Sequence, residues 1–209
     1  MPLKDLEIRA LRATARPIKK ADGKGLYIEA FPNGSKLWRL KYRVAGKENR
    51  LALGAYPEIS LAEARKRRDA ARSMLAEGMD PALERKRHKA AAKFNAENTF
   101  ERVAEEYISK KQADGLAEAT IAKARWFLDL LRPAIGSMAV GEVDPQMLLA
   151  ALKKLEGKGN YETAKRARSF ASRVFRYAVA TARASSDPAA LLNGALIAPK
   201  AESLTGRGR

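Results

Sequence analysis

Five cations recur at helical spacing late in the chain: Lys165, Arg166, Arg173, Arg176 and Arg183. At about 100° per residue they share one side of a segment whose other side carries Ala167, Phe170, Ala171, Val174 and Ala178. Between Lys158 and Arg183, seven basic residues stand against one acid, Glu162. A helix of this kind packs through its apolar face and offers its cations to an anionic surface, such as the phosphates of duplex DNA. A second set recurs at strand spacing. Arg39, Lys41 and Arg43 alternate with Trp38, Leu40, Tyr42 and Val44, which makes one strand face cationic and the other apolar. A two- or three-stranded ribbon can enter a major groove, where Arg and Lys reach phosphates or base edges.

Groups for covalent or metal chemistry are scarce. The chain has no cysteine, so it has neither a disulfide framework nor a thiolate metal site. Its one histidine, His88, cannot build a metal cluster, and no metal or cofactor is expected. Lys and Arg number 41 against 24 Asp and Glu, a net +17 over 209 residues, which points to a nucleic-acid partner. The charge is not one basic tail: there are 18 basic and 10 acidic residues up to Asp80, and 23 and 14 beyond it. No apolar run approaches the ~18 residues needed to span a bilayer. The polar start at Lys4 and Asp5 does not read as a secretory signal. A soluble, cytoplasmic protein without a membrane partner is expected.

The first 80 residues predict a small sheet packed on a helix. Residues 3–14 mix Leu3, Leu6, Ile8 and Leu11 with charges and suit a short helical turn or an arm. Turn signals at Asp22-Gly23-Lys24-Gly25, Pro32-Asn33-Gly34-Ser35 and Ala45-Gly46-Lys47 separate extended runs at 26–30, 36–44 and 48–53. This predicts a three-stranded antiparallel meander. Ser60, with Glu63 three residues on, opens a helix that Gly78 stops. Leu61, Ala64, Ala71 and Leu75 form its apolar stripe, and Arg65, Lys66, Arg67, Arg68 and Arg72 a basic side. Residues 81–97 have no consistent apolar face and read as a basic linker or tether, helical in part.

Beyond the linker the pattern is helical. Asn98 and Glu101 mark one start, with Phe100, Val103, Ala104, Tyr107 and Ile108 as its stripe. A second helix is predicted over 118–131, broken by Pro133 and Gly136. A third opens at Asp144-Pro145. A fourth, capped by Asn160, is the basic helix, predicted over 161–184. Asp187-Pro188 opens a final short turn. The fold class is therefore α+β: a three-stranded antiparallel sheet on a helix, followed by an all-α four-helix bundle. Trp126 and Phe127 read as packing residues.

In this order of elements the chain resembles phage and prophage integrases of the tyrosine recombinase family over about residues 1–198. The first part is similar to their arm-type DNA-binding domain in Asp22-Gly23-Lys24-Gly25-Leu26-Tyr27, Lys36-Leu37-Trp38-Arg39-Leu40-Lys41-Tyr42-Arg43, Leu53-Gly54-Ala55-Tyr56-Pro57 and Ser60-Leu61-Ala62-Glu63-Ala64-Arg65. The second part is similar to their SAM-like core-binding domain in Thr99-Phe100, Leu131-Arg132-Pro133-Ala134-Ile135-Gly136 and Arg173-Val174-Phe175-Arg176-Tyr177-Ala178. The match is to the N-terminal two-thirds of such an integrase. It implies an arm-type domain at 1–80, a linker at 81–97, a core-binding domain at 98–198 and an irregular tail at 199–209, where a catalytic domain would begin.

The resemblance also implies function. Arm-type domains bind distal repeats of the attachment site, and core-binding domains clamp the crossover region. A C-terminal catalytic domain supplies a tyrosine that attacks a phosphodiester, with arginines, a lysine and histidines stabilising the phosphorane. The family's His-x-x-Arg pattern has no match here, since Ala91 stands three residues after His88, and the tyrosines end at Tyr177. The tail, Ser203-Leu204-Thr205-Gly206-Arg207-Gly208-Arg209, is unlike the family's continuation. No residue of this chain is assigned a catalytic role, and whether the chain is an enzyme stays open. The expected function is sequence-specific DNA binding within a site-specific integrase. Arg39, Lys41, Arg43, Lys165, Arg166, Arg173 and Arg176 are the DNA-binding candidates. The partners are double-stranded attachment-site DNA and other integrase protomers. A decoy that blocks attachment sites and an RNA-binding module are the alternatives, although no aromatic ladder lies on a basic sheet face.

Overall fold

A computed structural model describes residues 2–197, so the tail at 199–209 and the last residue of the 98–198 segment lie outside the described residues. The chain divides into two compact units, Met1–Ala90 and Ala91–Arg209.

The first unit runs α1 (Asp5–Ala10), β1 (Ile18–Gly23), β2 (Leu26–Ala30), β3 (Lys36–Val44), β4 (Lys47–Tyr56) and α2 (Leu61–Ala76). The sheet is antiparallel in the order β1-β2-β3-β4, so it has four strands rather than the three expected. The additional strand, Ile18-Lys19-Lys20-Ala21-Asp22-Gly23, carries one large apolar residue and no alternation. Its backbone pairs with β2, and Lys19 and Lys20 stay accessible to solvent, as suits a sheet edge, whereas Asp22 is buried. Alternation on β3 sends Trp38, Leu40 and Tyr42 inward, where they join Leu26, Ile28, Leu53, Ala64 and Ala71 in one core. The Trp38 indole N–H donates to the Ile59 carbonyl at 2.9 Å.

Two close approaches require glycine. A Cβ on Gly25 would stand 2.3 Å from the Lys41 carbonyl oxygen. One on Gly54 would stand 2.5 Å from Ile59 Cγ1. Gly54 adjoins a bulge: Trp38 faces Gly54 and Arg39 faces Ala52, leaving Leu53 as the extra residue.

The basic side expected on α2 is partly internal. Ser60 caps the helix, its hydroxyl accepting from the Glu63 amide at 3.2 Å. Arg65 and Arg68 turn inward onto Asp22, whose carboxylate also accepts from the Leu3 amide at 2.7 Å. Arg67 pairs with Glu63 and donates to the Leu53 carbonyl. Lys66 and Arg72 are left on the exposed surface.

Residues 81–97 form one continuous helix, α3 (Pro81–Glu97), where a linker helical only in part was expected. Asp80 caps it, with Pro81 at its first position. Its Ala, Glu, Lys and Arg content favours helix without any tertiary stripe. Pro81 is its one buried residue, which accounts for the missing apolar face.

The second unit packs α4 (Phe100–Ala113), α5 (Glu118–Leu131), α6 (Pro145–Glu156) and α7 (Tyr161–Ala180) around one core. These are the four expected helices, with differences of detail. Thr99, not Asn98, caps α4. After α5 the chain continues through a π-helical turn, Arg132–Gly136, instead of breaking at Pro133. The Asn160 side chain makes no capping bond. α7 ends at Ala180, four residues before the expected boundary, and Ala182 turns left-handed at φ 57°. Phe127 is buried as expected, whereas Trp126 is about half exposed.

The early end of α7 gives Arg183 a different role from the one expected. It folds back to pair with Glu106 on α4, with Nη2 to Oε1 at 2.6 Å, and Glu106 also accepts from the Tyr177 hydroxyl. Arg183 first, and the Tyr177 hydroxyl second, hold the Glu106 carboxyl down at about 2. A carboxylate with a depressed folded-state value stabilises the fold above the ordinary carboxylate range. That contribution fades as pH falls from about 4.5 toward about 2. Glu106 is half exposed, so solvent screening limits the effect to ~1 kcal/mol or less. Urea midpoints from pH 6 to pH 2 should therefore fall less steeply for Glu106→Gln than for the wild type. Parallel curves would contradict the assignment.

Candidate nucleic-acid interface

The α7 candidates come together as one stripe. Counting from Lys165 at about 100° per residue, Arg176, Arg173 and Arg166 follow within an arc of roughly 100°. All four are exposed, while Ala164, Ala167, Phe170, Ala171, Val174, Phe175 and Ala178 are fully buried on the opposite side. At ~1.5 Å per residue the stripe extends ~16 Å along the axis, a span of several phosphates. Among the described residues, Lys165, Arg173 and Arg176 form no ion pair. Arg166 is paired with Glu162 at 2.6 Å one turn earlier. Arg168, on the same helix, is taken up internally by the Ala189 carbonyl.

Sequence reasoning missed a neighbour of this stripe. An apolar groove lined by Tyr107, Ile121, Phe127 and Phe170 also carries Lys111, Lys123 and Arg173. Lys123 is exposed, with no ion-pair partner among the described residues, so it extends the cationic surface from α7 to α5. Only tertiary packing brings these helices side by side, and no spacing within the sequence signals it.

On the sheet, register places Arg39, Lys41 and Arg43 on the face opposite Trp38, as expected. Their surroundings differ from one another. Arg43 is exposed and opposite Glu48. Lys41 pairs with Glu48 at 2.9 Å, both side chains about half exposed. Arg39 is the least exposed of the three, and its Nε donates to Glu29 at 2.6 Å. Two further cations belong to this face. Arg50 on β4 stands opposite Lys41, and Lys19 on β1 stands opposite Glu29 with its ammonium 5.9 Å from the Tyr27 ring centre. Arg50 was legible, since it alternates with Leu51. Lys19 was not, because its strand shows no alternation.

His88 lies on the exposed surface of α3. Among the described residues, no three His, Asp or Glu side chains are grouped to hold a metal ion, and no helix is long and apolar enough to cross a membrane. The candidate sites among the described residues are arrays of cations on α7 and on the sheet.

Two family models match. One, the arm DNA-binding domain, matches residues 3–88, and the other, the phage integrase central domain, matches residues 100–195. The chain is 35% identical over 204 residues to the integrase of Enterobacteria phage P4, covering 96% of this chain and 46% of that one. It is 36% identical over 184 residues to the integrase of Shigella phage Sf6, covering 88% and 46%. A solved structure of a lambda integrase dimer bound to a COC' core site aligns at 20% identity and a TM-score of 0.45, over 87% of this chain and 46% of that one. The chain thus spans about half the length of the curated relatives it matches, against the two-thirds expected.

Proposed function

We propose that this chain, which belongs to the phage integrase family of tyrosine recombinases by its arm DNA-binding and integrase central domains, binds duplex DNA through both units as part of site-specific integration and recombination. The observation that carries this reading is the α7 stripe, where three of four exposed cations form no ion pair among the described residues. Such an array attracts a polyanion, whose condensed counterions it would release. The sheet of the first unit is the second contact surface, placed to enter a groove of arm-type sequence. The proposed contact residues are Arg39, Lys41 and Arg43 on the sheet, in an arm-type domain at 1–80, and Lys165, Arg166, Arg173 and Arg176 on α7, in a core-binding domain from 98. Attachment-site DNA and further integrase protomers are the proposed partners, and the cytoplasm the proposed location. The chemistry of strand cleavage is not assigned to any residue here. The decoy and RNA-binding alternatives draw no support from relatives that are integrases.

A salt titration tests the reading. If the chain contacts about six phosphates, its affinity for a duplex should fall with a log–log slope near −5. A flat response, or equal affinity for duplex RNA, would overturn it.

A further inference from the structure

We propose that Arg39 reads a base in the major groove and that Glu29 is the positioning residue that aims it. This rests on the reading of the sheet as a DNA-binding face. A surface that meets a polyanion gains nothing from a carboxylate of its own. Yet Glu29 stands within the cationic face, 8% exposed. Register sets it opposite Lys19 on β1 and Leu37 on β3. Its Oε2 accepts from Arg39 Nε at 2.6 Å, and its Oε1 lies 3.6 Å from Lys19 Nζ.

The tether is one-sided. It holds the guanidinium by Nε, and among the described residues neither Nη group of Arg39 has a hydrogen-bond partner. Arg39 belongs to β3, an inner strand of the sheet, with Tyr27 across from it on β2 and only the methyl group of Ala52 across from it on β4. A flat group is therefore fixed on its protein side and presents two donors on the other. That fork matches the paired acceptors O6 and N7 of guanine in the major groove. Holding it before contact removes much of the side-chain entropy that binding would otherwise take away.

Charge separates Arg39 from its neighbours. With Glu29 against it, Arg39 adds little net attraction for phosphate. Exposed Arg43 and Arg50 supply the sequence-independent attraction on this face, with Lys41 offset by Glu48. Arg39 then contributes to discrimination between sequences, while its neighbours set the salt-dependent affinity.

The whole chain should be used to enrich binders from a pool of random duplexes, then titrated at several salt concentrations with the enriched duplex and with a scrambled one. Arg39→Ala should lose about 10- to 100-fold of the ratio between the two, and Arg39→Lys, which lacks the fork, should not restore it. Glu29→Gln should lose most of the same ratio while its affinity for the scrambled duplex holds or rises, since a negative charge has gone. Glu29→Asp keeps the charge but shortens the reach, and should also lower the ratio, which covers the case in which Glu29→Gln melts early. If Arg39→Ala keeps the ratio, or weakens both duplexes in parallel with a shallower salt slope, Arg39 is a phosphate contact and the proposal fails. It also fails if the wild-type chain binds with a steep salt slope but enriches no sequence, a result that leaves DNA binding itself standing. Absence of binding to any duplex would remove both readings together.

Discussion

Replacing Asp22 by Ala should lower the stability of the first unit by about 2 kcal/mol, the scale expected when a buried carboxylate with charge-assisted hydrogen bonds is removed. Asp22 is the penultimate residue of β1, and its side chain is 1% exposed. Burial alone would push its carboxyl up. Hydrogen bonds from Arg65 and from the Leu3 amide, with the charges of Arg65 and Arg68, outweigh that and hold it below the usual carboxylate range. One carboxylate thus ties together the N-terminal segment, the edge strand and α2. Its loss takes the carboxylate partner from Arg65 and frees the Leu3 amide, while Arg68 keeps its pair with Asp69 at 2.8 Å. The sign in pH follows. The contribution is complete above the ordinary carboxylate value and fades as pH falls through the depressed folded-state one. The chain's two tryptophans fall one in each unit, Trp38 buried in the first and Trp126 half exposed in the second. In a Trp126→Phe background, urea unfolding followed by Trp38 fluorescence reports the first unit. A midpoint within ~0.5 kcal/mol of the parent, the range of an ordinary surface substitution, would show that Asp22 is not the tie described.

Asp22 also shows where the sequence stops being legible. Read locally, Asp22-Gly23-Lys24-Gly25 is a turn, and so it proves, since Gly23, Lys24 and Gly25 all have positive φ. Nothing in its spacing says that the Asp22 carboxylate will meet Arg65, 43 residues later. The strands with alternation, β2 to β4, and the helices with a 3.6-residue stripe, α2 and α4 to α7, were all foreseeable, because burial of one face writes a period into the sequence. β1 and α3 were not, for the same reason. One is held at a sheet edge by backbone pairing, the other stands largely in solvent, and neither buries a stripe. The site divides along similar lines. Which residues share a face was readable on β3 and on α7. Which cations are neutralised by acids was not, because those acids come from other elements: Glu29 for Arg39, Glu48 for Lys41, Glu106 for Arg183.

That distinction ranks the cations of α7, and a substitution series should recover the ranking. Arg173→Ala and Arg176→Ala should each reduce the log–log salt slope for duplex binding by about 0.9, the loss of one phosphate contact apiece. Arg166→Ala should reduce it by less, because Glu162 already offsets much of its charge. With Lys165, Arg166, Arg173 and Arg176 all replaced by Ala, the slope should shrink by about 3 to 4. Over the decade of salt between ~0.1 M and ~1 M, that amounts to an affinity loss on the order of a thousandfold at the lower concentration. The fold should tolerate the change, since all four side chains are exposed and alanine favours helix. Losing Arg166 also frees Glu162, so the thermal midpoint should shift by no more than a few tenths of a kcal/mol equivalent. Binding to scrambled and enriched duplexes should weaken in parallel, because phosphate contacts carry no sequence information. An unchanged slope in a quadruple variant that melts normally would move the DNA off α7. The sheet would then be the only remaining contact surface among those described.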